Sequence, residues 1–221
     1  MKRSVYVFDA YGTLFDVHAA IARHREACGP DADRLSELWR TKQLEYSWTL
    51  TLAGRYEDFW TLTSRALDYA LARFPRVPAS IRQRLLDAYF QLDAFADSAP
   101  CLAALKASGA RTAILSNGSP HMLSAAVAGA KLENLLDAVL SVDAIRLYKP
   151  RREVYAMILD ALGVGAGDVA FISSNRWDVM GAVEFGFAGV WVNRAKLPDE
   201  YPDHQPHRII DGLAALPALE F

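Results

Sequence analysis

Apolar residues along this chain follow two rhythms. Over residues 32–50 and 56–74 they recur at spacings of three and four, as at Leu35, Leu38 and Trp39 and again at Phe59, Leu62, Ala66 and Leu67. That spacing predicts amphipathic helices. "RFPRVP" interrupts the pattern with two prolines, residues 81–90 resume it, and "DAFADSAP" ends it. Elsewhere short apolar runs alternate with helical segments. A strand is predicted at 4–8; after Ala99 come a helix at 100–108, the run "RTAILS", a helix at 120–128 and "DAVLSVD". A helix at 153–162, the run "DVAFISS", a helix beginning near Trp177 and "AGVWVN" complete the series. Such alternation predicts a parallel sheet with helices on both faces. The expected fold is therefore α/β, with a Rossmann-like core from residues 1–15 and 97–221 and a helical cap subdomain, residues 16–96, inserted into it.

Composition narrows the range of partners. The 221 residues are 52% hydrophobic and carry a net charge of −2, with no block of five or six like charges. A chain of this size buries a sizeable core, and its charge argues against nucleic acid and anionic membranes as partners. Asp9 cuts the apolar run after Lys2 and Arg3 too early for a signal-peptide core, and no stretch reaches transmembrane length. Cys28 and Cys101 lie far apart and outside any CxxC spacing, so neither a disulfide framework nor a zinc site is indicated. The expected location is the cytoplasm, and the expected ligands are small ions and metabolites.

Four predicted strand ends carry polar clusters: Asp9, Ser116–Asn117, Ser141–Asp143 leading to Lys149, and Ser173–Asn175. In open α/β sheets ligands bind outside the carboxyl ends of the strands, so clusters at several such ends converge. Taken singly, each has a plain structural explanation: "SNG" serves as a helix N-cap, and Asp9 as a turn residue. Their occurrence together points to a site, because a carboxylate at the end of a buried strand is costly without a partner or a task. "GVGAGD" follows a helix with the wrong spacing for a dinucleotide fingerprint and reads as a helix C-cap and turn. "HQPH" has no supporting ligands nearby and reads as a solvated loop.

In this order, "FDAYGTLFD", "LSNGSP", "YKP" and "SSNRWD" resemble the four motifs of the haloacid dehalogenase superfamily, and in detail its L-2-haloacid dehalogenase branch. "WRTKQLEYSW" is similar to that branch's substrate-facing cap helix, so the resemblance spans nearly the whole chain. The superfamily's magnesium-dependent phosphatases differ at two places. Two residues after the nucleophile they carry a second aspartate that protonates an alkoxide leaving group, where this chain has Tyr11; a halide needs no such proton. In the last motif they offer the metal an acidic pair, where this chain has "SSN", leaving few hard oxygen ligands for a divalent ion. The resemblance implies hydrolysis of short (S)-2-haloacids to D-2-hydroxy acids and halide, with no metal or other cofactor, by a homodimer. An altered magnesium-dependent phosphatase and a catalytically impaired binding protein on the same fold remain the alternatives.

The resemblance also assigns roles. Asp9 is the nucleophile that forms an ester. Lys149 favours its charged form, two unit charges ~4 Å apart interacting by roughly 4 kcal/mol at an intermediate dielectric. Asp178 directs water at the ester, with Ser173 and Asn175 orienting the group; the lesser alternative is a plain helix-start acid favoured by the dipole. Ser116 and the backbone N–H groups near Tyr11 face the substrate carboxylate, with Thr13 and Tyr155 in support, Tyr155 among the substrate-binding residues. Arg40, Asn117 and Trp177 form the halide cradle, although an arginine on a helix is commonly only a solvated residue. Tyr11, Gln43, Leu44 and Trp60 are expected to wall the pocket or, equally, to pack the core. Arg176 departs from the small residue usual in relatives. It is expected at the pocket rim with its charge in water, clear of the reacting atoms; the alternative is that it recruits the substrate carboxylate or pairs with Asp178.

Overall fold

The computed structural model describes residues 3–221. Its sheet has six parallel strands: β1 (Val5–Phe8), β2 (Arg111–Ser116), β3 (Ala138–Ser141), β4 (Val169–Ser173), β5 (Ala188–Val192) and β6 (Arg208–Ile210). They lie in the order β3-β2-β1-β4-β5-β6. Every residue of β1, β4 and β5 is buried, which accounts for their continuous apolar runs.

The helices are α1 (Ala19–Ala22), α2 (Arg25–Cys28), α3 (Ala32–Leu52), α4 (Phe59–Arg73), α5 (Arg82–Phe90), α6 (Ser98–Ala107), α7 (Pro120–Gly129), α8 (Arg152–Leu162) and α9 (Arg176–Phe185). The chain leaves β1 toward one edge of the sheet, through β2 and β3, then crosses back to β4 and the other edge. Right-handed crossovers in these two directions put the connecting helices on opposite faces and leave a switch point between β1 and β4. Asp9, directly after β1, donates its backbone N–H to Ile172 O of β4 at 2.9 Å and so sits at that switch point.

Helices α1–α5 all lie between β1 and β2 in the chain. The outgoing and returning strands of this insertion run side by side: Asp16 N–H donates to Asp93 O, and Phe95 N–H donates to Leu14 O, each at 2.9 Å.

The structure departs from the sequence expectations in a few places. α4 starts at Phe59 because Asp58 caps it, its carboxylate accepting from the N–H groups of Trp60 and Thr61 at 3.0 and 3.1 Å. The short helices α1 and α2 and the edge strand β6 had no signal. β6 is three residues long with two of them exposed, too little for a period to show. "GVGAGD" does contain the helix C-cap, with Gly163 in the left-handed conformation after α8. "HQPH" lies in the partly exposed segment that leads into β6.

Candidate active site

Asp9 follows a strand that is entirely buried, and is itself only 6% exposed. A tight turn then brings the chain back, with the N–H groups of Leu14 and Phe15 both donating to Ala10 O. Gly12 makes this possible, since its φ of +95° is a conformation that residues with a side chain rarely adopt. The turn presents Thr13 to the strand end.

The two oxygens of Asp9 have different environments. Oδ2 accepts from Asn175 Nδ2 at 2.8 Å, Thr13 Oγ1 at 3.3 Å and Ser173 Oγ at 3.4 Å. Oδ1 accepts from Lys149 Nζ at 3.1 Å. The same ammonium donates to Asp178 Oδ2 at 2.8 Å, so one buried cation bridges two buried carboxylates. Burial works against the Lys149 charge, but Asp178 and Asp9 outweigh it and hold the ammonium above its ordinary range. The face of Phe171 lies 4.9 Å from Nζ and adds a cation–π contact.

Asp178 sits in the first turn of α9 and is wholly buried. Its Oδ1 accepts from the Tyr155 hydroxyl at 2.8 Å. Desolvation, only partly offset by Lys149 and reinforced by the negative charge of Asp9, pushes its carboxyl up to about 6. A carboxylate poised there can take a proton from water near neutral pH.

Above Asp9 lies a cavity of about 10 Å³, lined by Asp9, Tyr11, Arg40, Leu44, Phe59, Ser116, Asn117, Asn175 and Trp177. It has room for about one water molecule. Arg40, Leu44 and Trp48 recur every fourth residue along α3, which turns one stripe of that helix toward the sheet ends. From this stripe Arg40 Nη2 donates to Tyr11 O at 3.2 Å and reaches Asn175 Oδ1 at 3.5 Å. Asn117 Oδ1 accepts from the Lys149 N–H at 3.1 Å, which leaves its NH2 group for the cavity. Ser116 Oγ accepts from the Gly118 N–H at 3.1 Å and keeps its own proton available. A wider depression of about 940 Å³ between α7 and β3 holds none of the cavity residues.

Other expected positions fall elsewhere. Tyr155 lies behind Asp178 rather than on the cavity wall, with its hydroxyl donated to that carboxylate. Gly181 permits this approach, since a Cβ there would stand 2.5 Å from the Tyr155 hydroxyl oxygen. Gln43 is fully buried in the insertion, donating to Thr63 Oγ1 at 3.0 Å and accepting from the Tyr89 hydroxyl at 3.3 Å. Trp60 packs edge-on against Phe90, with ring centroids 5.3 Å apart. Gln43 and Trp60 are therefore packing residues, because they lie on stripes of α3 and α4 that face other helices.

Arg176 also needs correction. It is 3% exposed, its charge is not in water, and it does not pair with Asp178. Its guanidinium instead binds Asp199, with Nε donating to Oδ1 at 2.7 Å. Not singled out as site residues from the sequence were Phe59, which walls the cavity, and Ser174. The N–H of Ser174 donates to Thr13 Oγ1 at 2.9 Å and leaves the Thr13 proton directed at Asp9. The polar run "SSN" closing the apolar strand was the available signal for Ser174, but it does not say which of the two serines faces the carboxylate.

The fold and site together define an α/β protein with a buried, sheet-end aspartate under a helical insertion. A family model described as haloacid dehalogenase-like hydrolase matches residues 4–186, and this chain belongs to that family. It is 49% identical over 214 residues to (S)-2-haloacid dehalogenase 1 of Pseudomonas sp. strain CBS-3, covering 96% of this chain and 94% of that one. The match to (S)-2-haloacid dehalogenase 4A of Burkholderia cepacia is 48% over 196 residues, covering 88% and 85%. L-2-haloacid dehalogenase from Xanthobacter autotrophicus, solved with chloropropionic acid covalently bound, superposes with a TM-score of 0.88 at 38% identity, covering 99% of this chain and 98% of that one.

Proposed function

We propose that this protein is an (S)-2-haloacid dehalogenase that hydrolyses short L-2-haloalkanoic acids to D-2-hydroxy acids and halide. The observation that carries this reading is the single ammonium of Lys149 bridging Asp9 and Asp178 beneath a cavity that Arg40 overhangs. Asp9 Oδ1, with one donor against three on Oδ2, attacks the halogen-bearing carbon from behind, forming the C–O bond as the halide leaves with the bonding pair. Arg40, the Asn117 amide and the Trp177 ring edge receive the developing halide charge. Ser116 and the backbone near Tyr11 hold the substrate carboxylate.

In the second step Asp178 takes a proton from water as that water attacks the ester carbonyl carbon. The oxyanion forms on Oδ2, where Asn175, Ser173 and Thr13 already donate. Collapse breaks the ester C–O bond, the departing alkoxide oxygen takes back the proton held by Asp178, and Asp9 loses its remaining water-derived proton to solvent as the 2-hydroxy acid leaves. Each half-reaction has its own carboxylate, and Lys149 couples the two.

Several coarser readings belong with this proposal. The insertion is a cap subdomain of residues 16–96, supported by the paired backbone contacts at Asp16–Asp93 and Leu14–Phe95. The resemblance supports a homodimer, to be measured by light scattering. The net charge of −2 speaks against nucleic acid as a partner. Cys28 and Cys101, both unpaired, are compatible with the reducing cytoplasm. Among the described residues no helix is long and apolar enough to cross a membrane.

Halide release from the two enantiomers of 2-chloropropionate, with and without a chelator, tests the reading directly. The L enantiomer is consumed and chiral chromatography shows D-lactate, since backside attack inverts the carbon and the later attack falls on the enzyme's own carbonyl. Retained configuration, or equal use of both enantiomers, would refute it. The chelator leaves the rate unchanged, because Tyr11 and "SSN" supply no metal-binding acids; a loss restored by magnesium would favour the phosphatase alternative. Arg40→Ala is expected to lower kcat by about 100-fold or more, because the leaving halide loses its charged donor. A change as small as that of a surface arginine would remove Arg40 from the cradle.

A further inference from the structure

Trp177 borders three separate spaces. One is the cavity over Asp9. The second is an apolar groove of about 350 Å³ that includes Trp48, Tyr148, Met180 and Tyr201, and the third, also about 350 Å³, includes Trp191, Leu197 and Pro198. A cavity with room for one water must open before any haloacid occupies it, and Trp177 stands between that cavity and both outer spaces. Its ring meets Trp48 edge-on, with centroids 5.3 Å apart and planes at 84°.

The residue before Trp177 is itself firmly anchored. Arg176, the first residue of α9, binds Asp199 through Nε at 2.7 Å and through Nη2 at 3.3 Å. Nη2 also donates to the carbonyls of Tyr201 and His204, at 2.7 and 2.8 Å. The guanidinium carbon lies 5.8 Å from the Trp191 ring centroid and 5.5 Å from that of Tyr201. Near the other end of α9, Glu184 Oε1 lies 2.7 Å from His204 Nε2. The segment 199–204 is thus strapped along α9, with its charged anchor adjacent to Trp177 in the chain.

We propose that Arg176 is a positioning residue: by latching the 199–204 segment to the start of α9 it holds Trp177 as the partition that substrate must pass and that limits substrate length. The inference rests on the dehalogenase reading for its substrates. With the latch broken, Trp177 leaves its place more readily, and a longer alkyl chain extends past it into the groove walled by Trp48 and Met180. The reaction of a short substrate loses the ring edge that receives the halide.

The test compares kcat/KM for L-2-chlorohexanoate and L-2-chloropropionate in Arg176→Met, Arg176→Lys and Asp199→Asn. The long-to-short ratio is expected to rise by about 10-fold in Arg176→Met and Asp199→Asn, with a smaller rise in Arg176→Lys, which keeps one charged donor. The fraction of enzyme that folds cancels in this ratio, so an unchanged ratio overturns the proposal even if both rates fall. Asp199 lies at the exposed end of the pair, so Asp199→Asn carries the test if Arg176→Met does not fold. Amide hydrogen exchange of the peptide spanning 174–180 is a readout independent of activity. Faster exchange in Asp199→Asn is expected, and exchange equal to the parent overturns the latch. If the parent releases halide from neither substrate the dehalogenase reading fails, while the exchange result still decides the latch.

Discussion

Asp178→Asn is expected to release one equivalent of chloride per site from L-2-chloropropionate and then stop. The substitution keeps size and shape and leaves Lys149 beside Asp9, so the nucleophile still attacks. An amide cannot accept the proton of the incoming water, so the ester on Asp9 accumulates. Mass spectrometry of the N-terminal peptide detects it, and the stoichiometric burst itself shows that the variant is folded. Sustained turnover would remove Asp178 from the hydrolytic step. The same residue sets a pH dependence. Burial raises its pKa to about 6, and it acts as a base only when ionised. Ester hydrolysis therefore weakens as pH falls through that value, by about tenfold per unit at lower pH. Rapid-quench measurements at pH 5 should show the parent enzyme holding ester, whereas at pH 8 the ester should be scarce. A hydrolytic rate constant that is flat between pH 5 and 8 would contradict this assignment.

Replacing the nucleophile removes both steps. Asp9→Ala is expected to lower kcat by on the order of 10⁴-fold or more, with no burst, because neither ester formation nor hydrolysis has a substitute group nearby. Asp178, the other carboxylate at hand, is wholly buried and lies across Lys149 from Asp9, so it places no attacking oxygen where Asp9 Oδ1 stands. Single turnover of the parent enzyme in oxygen-18 water gives the matching positive result. The first hydroxy acid takes its new oxygen from Asp9 and is unlabelled, while the label appears in the Asp9 carboxylate. Label found at once in the product would mean that water attacks the substrate directly and that Asp9 serves only as a base.

The difference between these two carboxylates is one of environment. Asp9 ends a strand and meets hydroxyl, amide and ammonium donors at the cavity floor. Asp178 begins a helix and is enclosed by Lys149 and Tyr155 with no exposure. In the proposed mechanism, two residues of nearly the same chemistry take separate tasks because one faces the cavity and the other is desolvated.

The sequence alone determined where the first five strands fall along the chain, the helical insertion between β1 and β2, and the four strand-end clusters. Those features are local: a period of two or 3.6, a proline pair, or a polar residue ending an apolar run is written in consecutive positions. It also carried the motif resemblance that assigned Asp9, Lys149 and Asp178. Periodicity says that a residue is buried but leaves its partner open, and there the tertiary structure decided. Gln43 and Leu44 are neighbours on one helix, yet Leu44 walls the cavity while Gln43 turns to Thr63 and Tyr89. Arg176 reads as a snorkelling side chain until the segment beyond β5 folds over it and supplies Asp199 and two carbonyls. Lys149 bridges Asp9, 140 positions away, and Asp178, 29 positions away, only because the switch point of the sheet brings β1, the β3–α8 connection and the start of α9 to one place. Partner choice in a packed interior is a non-local property: it depends on which elements the topology sets side by side, and no window of neighbouring residues contains that information.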